Sequence, residues 1–488
     1  MDQRGASRAD GFDAVVVGAG PNGLVGALVL AEAGRRVLLV EAESRVGGAL
    51  RTQELTLPGF RHDVGATVLP LALASPAFRR LRPEQDGVAW VHPEIPLAHP
   101  LDAAAAVLVH RNVVRTAAEL GRDGAAWQSL VGATARAGDP LVDTLLAPLS
   151  LPRAPLALVR YGSSAVLPAT WLARARFRTE RGRAVLAGMA AHSVLDLGRP
   201  ITAGYGMLLA ALAHSVGWPL VRGGSQGLAD ALAARLVRLG GTIETGVRVQ
   251  ALADLPAAGI TLLDLTPRQL LAVCGDRLPA RYRARLQRFR YGPGAFKLDW
   301  ALDAPVPWRD QSVARAGTVH LGGSLDEIAA SERAVGRGRH PHRPYLLCVQ
   351  PTVADPSRAP DGKHVLWAYC HVPNGSTVDM TGAIEAQIER FAPGFRDRVL
   401  ARHAMPPAAL EAFDANLVGG DLGGGAADLA QFATRPVAAR QPWRTPVPGL
   451  YLCSASTPPG GGVHGMGGWQ AAHLAMRDAA AGRKERRG

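Results

Sequence analysis

Apolar residues fall into two rhythms along this chain, and the change from one to the other marks its elements. Phe12 to Val17 (FDAVVV) is a continuous apolar run of strand length ending at glycine, the pattern of a strand buried on both faces. After a cluster of glycines, LVGALVLAEAG spaces its apolar residues as a helix does and stops at Gly34. RRVLLVE then predicts a second buried strand ending on Glu41. The same alternation returns twice. VRGGSQGLADALAARLVRLGGTIETGVRVQAL reads as a glycine turn, an amphipathic helix stopped by Gly240-Gly241, and a strand. PGLYLCSASTPPGGGVHGMGGWQAAHLAM reads as a strand at Leu450–Cys453, a glycine turn, and a helix starting near Gly467. Between these, Leu141 to Val221 is dominated by apolar residues and predicts either a packed helical core or a hydrophobic tunnel. Its last part, Ile201 to Val221, carries no formal charge and is about long enough to span a bilayer. Its three glycines, proline and histidine favour a buried helix followed by a turn. No internal repeat is visible.

Composition narrows the class. At 488 residues the chain exceeds one ordinary core and predicts two or three domains. Hydrophobic residues make up 48% and charged residues 19%, so most of the chain should fold. The net charge is +13, yet only Lys297, Lys363 and Lys484 are lysines; the excess is arginine dispersed along the chain. Aromatics are 5% and are not interleaved with arginine as a base-stacking surface requires, so nucleic acid is not expected as a partner. Cys274, Cys348, Cys370 and Cys453 form no C-x-x-C pair, which argues against a redox dithiol or a zinc knuckle and suits a reducing compartment. No metal site is expected. The first residues lack a signal-peptide hydrophobic region. Cytoplasmic localisation is therefore expected, with peripheral contact at the inner face of a membrane left open.

The candidate chemistry sits between the first two strands. Gly18-Ala19-Gly20-Pro21-Asn22-Gly23 matches G-x-G-x-x-G, and Glu41 follows Gly23 by 18 residues. In such a unit the first glycine makes a tight turn, the second lets the backbone approach a pyrophosphate, and the third allows close helix–strand packing. The helix N-terminus offers N–H groups to the phosphates, and the acid accepts hydrogen bonds from a ribose diol. Strand, glycines, helix, strand and acid occur here in the required order. Gly47-Gly48, shortly after Glu41, is a second glycine pair suited to a long dinucleotide.

With these segments the sequence resembles the phytoene desaturase-like flavoproteins, in particular their PYROXD2-like branch, within the amine-oxidase and GDI-like superfamily. YGPGAFKLDWAL, AGTVHLGG and GKHVLWAYCHVPNGS resemble the same group, so the likeness covers nearly the whole chain. The resemblance implies FAD as cofactor and an α/β fold: a discontinuous Rossmann-type FAD-binding domain with an inserted mixed α+β substrate domain. Its implied FAD segments are 11–80, 216–270 and 441–480. Its implied substrate segments are 81–215, helical and apolar, and 271–440, with residues 1–10 and 481–488 as flexible ends. The implied cofactor residues are Gly18, Gly20, Pro21, Asn22, Gly23, Glu41, Gly47 and Gly48, with Val249 beside the adenine. Gly465 and Met466 open a helix whose N-terminus would face the flavin, where N–H groups stabilise charge on the reduced ring. Relatives often carry arginine directly after the glycine pair. This chain has Ala49 there and Arg51 two positions on, which makes Arg51 the implied phosphate contact. The stretch ALADLPAAGITLLDLTP is short for the family's β-excursion and implies a trimmed one.

Several other patterns compete. Gly223 to Gly227 (GGSQG) matches the G-x-S-x-G nucleophile elbow, but the stretch before it, Trp218 to Arg222, is a poor strand broken by Pro219. His340 and His342 are flanked by Arg337, Arg339 and Arg343, which would repel a cation. His364 and His371 face opposite sides of a predicted strand. Asn374-Gly375-Ser376 reads as a turn. No second G-x-G-x-x-G unit follows, so electrons are expected to pass to a diffusible acceptor such as O2, a quinone or a transiently bound nicotinamide. The implied reaction is hydride transfer between flavin N5 and a C–H or C=C site of a lipophilic, isoprenoid- or polyene-like substrate. Amine oxidation is the alternative enzyme reading, and a GDI-like binding or escort protein the alternative outside catalysis. His62, in GFRHDVGATVL, and His464, in the glycine turn, are the candidate catalytic side chains.

Overall fold

The computed structural model describes residues 11–147, 152 and 154–485. Five short strands form a wholly parallel sheet in the order 450–452, 260–263, 14–17, 37–40 and 242–244. Ala14–Val17 and Val37–Val40 are buried at every position, which is why both read as unbroken apolar runs rather than alternating ones. Ala14 pairs in register with both Val37 and Ile260, so the first strand lies between strands that follow it and strands that arrive much later. A parallel sheet whose order turns at one strand opens a crevice at the strands' carboxyl ends. Gly18, Asp264 and Cys453 immediately follow three neighbouring strands there.

Helix Pro21–Glu32 starts directly after the glycine loop, with proline in its first turn, where its missing N–H costs nothing. The closing helix, Met466–Glu485, packs against it at backbone distance. A Cβ on Gly468 would fall 1.8 Å from the Asn22 carbonyl oxygen and 2.7 Å from the Gly26 nitrogen. A Cβ on Gly465 would fall 2.6 Å from the Val25 side chain. Much of the glycine in the closing segment therefore admits the first helix. The helix predicted after GGSQG spans Gln226–Arg238, and Gly240 beyond it takes φ +84°.

A second sheet of seven strands runs in the order 399–405, 294–302, 364–372, 346–349, 316–321, 95–99 and 107–109. All of its pairings are antiparallel except 316–321 with 95–99. The segment 81–215 is thus not helical throughout: Ile95–His99 and Val107–Val109 are buried strands of this sheet. Their brevity and the proline within the first hid them from the periodicity. From Val113 onward the described residues of the segment are mainly helical, and helices Glu180–Ala191 and Thr202–Ser215 cover the sheet with a shared apolar core. Ile201 to Val221 becomes that second helix, a turn, and the short strand Leu220–Val221. Among the described residues no helix is long and apolar enough to cross a membrane. Between Gln250 and Ile260 there is only a three-residue helical turn, Leu252–Asp254. Of the expected flexible ends, residues 1–10 and 486–488 lie outside the described residues, while 481–485 continue the closing helix.

The glycine contact gives a direct test. Gly468→Ala should destabilise the protein by about 3 kcal/mol or more, because backbone on both helices must move to admit one methyl. Gly382→Ala, at an exposed position of helix Thr381–Phe391 with nothing within 4 Å of the new Cβ, should be neutral or slightly stabilising. Urea unfolding midpoints of the two variants check the contrast.

Candidate dinucleotide and substrate site

Two cavities open at the carboxyl end of the parallel sheet and meet at Gly20, Gly48, Asp264, Asp414 and Asn416. The first, about 330 Å³, is lined by Gly18, Glu41, Arg51 and Val249 among others. The second, about 350 Å³, is lined by Pro21, Asn22, Gly462 and Val463 near the neck and by Leu209, Trp218, Leu347, Val349, Trp367 and Tyr369 further in. The neck is narrow because glycine faces glycine: a Cβ on Gly48 would sit 3.1 Å from Gly20 Cα. A Cβ on Gly20 would sit 3.1 Å from the Asp264 carboxyl. Side chains at either position would fill the passage that a long dinucleotide has to thread.

The loop is held from within. Gly23 admits no side chain, since its Cβ would meet the Gly18 carbonyl oxygen at 1.9 Å. The Ala19 N–H donates to Glu41 Oε2 at 2.7 Å, and the Glu43 N–H donates to Oε1 at 2.9 Å. Glu41 is therefore oriented by backbone while still lining the cavity. Burial raises its pKa against the pull of those two N–H groups, and the Asp414 charge adds to the rise. Gly47 takes φ +128° and donates its N–H to the Ala19 carbonyl at 2.8 Å, tying the second glycine pair to the first loop. Arg51 donates to the Gly48 carbonyl at 3.3 Å, to Glu43 at 3.3 Å and to the Phe413 carbonyl, with its guanidinium over the Phe413 ring. Val249 lines the first cavity from an extended stretch after the short strand Thr242–Glu244.

Asp264 was not among the residues that the sequence singled out, yet it sits under the whole loop. Its Oδ2 accepts from the Gly23 N–H at 2.9 Å, and its carboxyl lines both cavities. Burial pushes its pKa up to about 8, with Asp414 and Glu41 adding to the rise against the Gly23 hydrogen bond. Burial likewise raises Asp414. An ionised cluster of three carboxylates would repel a pyrophosphate. A neutral Asp264 fits one, so the donor set matches a dinucleotide. Only the positions of these acids in three remote segments reveal this, and nothing local to TLLDLTP signals it.

The two candidate histidines lie elsewhere. His464 Nδ1 accepts from the Met466 N–H at 3.1 Å and its Nε2 donates to the Gly460 carbonyl at 3.1 Å, so both ring nitrogens fasten the glycine turn to its helix. His62 bonds Thr56 at 2.8 Å and approaches Asp299 at 3.5 Å, where Asp299 is paired with Lys297 behind the cavity wall. Burial lowers both imidazoles, His464 to about 4 and His62 to about 3. Neither lines the two cavities, and nor do Gly465 and Met466; the nearest lining residues in sequence are Gly65 and Val463. The histidine that lines the second cavity is His192. The other motifs are used up locally. Ser225 Oγ donates to the Leu50 carbonyl at 2.9 Å and to Asp63 at 3.0 Å. His340 pairs with Ser376 at 2.7 Å. His371 pairs with Glu332 at 2.8 Å, and His364 with Thr352 at 3.1 Å. All four cysteines are free and buried.

The chain is similar in sequence and in fold to known proteins over most of its length. The profile of an NAD(P)-binding Rossmann-like domain matches residues 16–81. The chain is 29% identical to pyridine nucleotide-disulfide oxidoreductase domain-containing protein 2 of Mus musculus, over 96% of this chain and 94% of that protein. It is 29% identical to phytoene dehydrogenase of Streptomyces griseus over 80% of this chain and 79% of that one. In fold it resembles an oxidoreductase from Methanosarcina mazei, with TM-score 0.63 and 18% identity over 95% of this chain and 99% of that one. It also resembles a putrescine oxidase variant, with TM-score 0.61 and 16% identity over 96% and 99% of the two chains.

The Asp264 carboxyl predicts a pH signature. In the unfolded chain it ionises near 3.8 and in the folded protein near 8, so folding takes up a proton between those values. Its contribution to stability is complete below the lower value and is lost as pH rises through the upper one. Asp264→Asn should flatten the fall in unfolding free energy between about pH 4 and about pH 8. Equal slopes in the variant and the parent would contradict the assignment.

Proposed function

The chain belongs with the amine-oxidase and phytoene desaturase-like FAD-dependent oxidoreductases, and on that premise we propose that it moves hydride between flavin N5 and a C–H or C=C site of a lipophilic substrate. The observation that carries this reading is the pair of cavities joined at the Gly20–Gly48 neck, one polar around Glu41 and the other walled by Leu209, Trp218, Leu347, Val349 and Trp367. When bound, FAD supplies the hydride chemistry, and the protein binds, orients and excludes water. In this reading Glu41 accepts hydrogen bonds from the adenosine ribose and Val249 packs beside the adenine. Gly18, Gly20, Pro21, Asn22 and Gly23, with Gly47 and Gly48, let the backbone lie against the pyrophosphate, while Asp264 in its neutral form does not repel it. Arg51, already engaged with Glu43 and Phe413, adds positive charge at the same end. Gly465 and Met466 open the closing helix, whose N-terminus favours negative charge on a ring bound near Gly462 and Val463.

The apolar wall supports a lipophilic substrate over a cationic amine, because the carboxylates that line the second cavity, Asp264 and Asp414, lie at the neck. Trp469, which could have joined an aromatic cage for an amine, packs against His473 with ring centroids 4.5 Å apart and does not line the cavity. A diffusible acceptor, O2 or a quinone, suits a chain with one dinucleotide motif and no C-x-x-C pair. Exposed Leu156, Val159 and Trp171 near Arg160 and Arg174 offer chemistry suited to a peripheral approach to a lipid surface, where such a substrate would reside.

The purified protein should show flavin absorption that bleaches with dithionite under anaerobic conditions. Gly20→Val should keep the folded circular dichroism spectrum and lose the colour, because the new side chain occupies the neck. A colourless parent protein that takes up no added FAD would overturn the reading in favour of a GDI-like binding protein.

A further inference from the structure

A column of three histidines stands behind the apolar cavity. His192, directly after helix Glu180–Ala191, lines the cavity, and its Nε2 lies 3.0 Å from His320 Nε2. His320 is fully buried, and so is His99, whose Nε2 lies 2.8 Å from the Gly323 carbonyl oxygen. Gly188 lets the two inner rings close up: a Cβ there would lie 2.8 Å from His320 Nδ1 and 3.1 Å from His99 Nδ1. Trp218 is edge-on to His192 at 5.8 Å, and Tyr345 packs on His320 at 5.6 Å while donating its hydroxyl to the Gly188 carbonyl at 2.8 Å. These contacts leave the rings little freedom to turn. Burial holds all three neutral; His99 is lowered to about 4 and His192 to about 3.

Neutral rings in a column must share hydrogens in a definite order. A carbonyl can only accept, so His99 carries its hydrogen on Nε2 and its Nδ1 is a bare acceptor. His320 Nδ1 faces the same small space beside Gly188, and both Nδ1 atoms lack a hydrogen-bond partner. Two bare lone pairs bordering the same small buried space repel. The arrangement with the hydrogen on His320 Nδ1 removes that repulsion and leaves His320 Nε2 as an acceptor. His192 must then donate from Nε2, and its Nδ1 is bare, with no partner among the described residues, on the one imidazole that lines the cavity.

We propose that the molecule held in this cavity is lipophilic but carries one hydroxyl, and that His192 Nδ1 accepts its hydrogen bond, with His320 and His99 as positioning residues that fix the His192 tautomer. The inference rests on the second cavity being the substrate site. A purely hydrocarbon ligand would leave Nδ1 desolvated and unpaired, which a matched hydroxyl avoids. An ammonium donor would meet no carboxylate near His192, since Asp264 and Asp414 stand at the neck.

Calorimetric titration of the flavin-loaded protein with geraniol and with geranyl methyl ether tests this, the two probes differing in the hydroxyl hydrogen. The alcohol should bind roughly tenfold more tightly than the ether. His192→Phe should weaken the alcohol by about that factor and leave the ether unchanged. His320→Phe should narrow the preference while His192 remains, because the tautomer is then free to invert. Equal affinities in the parent protein, equal losses of both probes in His192→Phe, or no binding of the alcohol would overturn the proposal. The parent comparison requires no variant to fold. Flavin content is read separately by absorbance, so a flavin-containing protein that does not discriminate the probes refutes this inference alone.

Discussion

The site depends on one backbone contact: the first helix and the last, more than four hundred residues apart in sequence, touch through glycine at Gly26 and Gly468. Asn22 stands at the crossing. Its carbonyl oxygen meets Gly468, and its side-chain oxygen accepts from the Gly467 N–H at 3.2 Å. Because the contact is close, the two helix N-termini come together over the same crevice. Helix dipoles act only within about a turn of their ends, so two of them can serve one ligand only if packing brings them this near. A side chain at the crossing would separate the loop that begins the dinucleotide site from the turn that closes it. The parallel sheet fixes the third member. The strand Ile260–Leu263 lies beside the first strand and delivers Asp264 beneath the loop.

That geometry explains why the polar end of the crevice can be acidic and still suit a phosphate. Glu41, Asp264 and Asp414 come from separate segments; burial raises all three, the Asp414 charge adds to the rise of Glu41, and Asp414 and Glu41 both add to that of Asp264. Glu41 is steadied by two backbone N–H groups and Asp264 by one. The carboxyl with the least compensation and the deepest burial is the one that keeps its proton. Asp264 can therefore accept from the loop with one oxygen and leave the anionic part of a ligand unopposed.

How much of this the sequence disclosed follows from the range of each interaction. The strand–glycine loop–helix–strand unit from Phe12 to Glu41 is local, and its glycines, caps and acid stand in a fixed order, so its form was legible. The α/β class followed from the same rhythm. The glycines of PPGGGVHGMGGWQAA were legible as a close approach, but what approaches Gly465, Gly467 and Gly468 from within the protein is the first helix and the end of a strand at Cys453. No local pattern distinguishes a glycine that admits a helix from one that admits a cofactor. Asp264 was hidden for the same reason, being a single acid after an unremarkable strand. His192 was hidden by its surroundings, since one histidine in an apolar helical segment usually packs as core. The strands at 95–99 and 107–109 are too short to show a period.

Along the crevice the protein supplies little free charge of its own. At the polar end Asp264 is neutral and Arg51 is engaged with Glu43; at the apolar end His192, His320 and His99 are neutral. What remains to greet a ligand is mainly dipoles: helix N-termini, loop N–H groups and an imidazole lone pair. Dipoles fixed by packing need no reorganisation when charge appears near them, whereas mobile ions would have to be re-paired. The folding cost of removing these groups from water is met where each has a partner. Compensation by dipoles demands that the backbone come close. The glycine content of the two end segments follows from that requirement together with the need to pack their helices on one another.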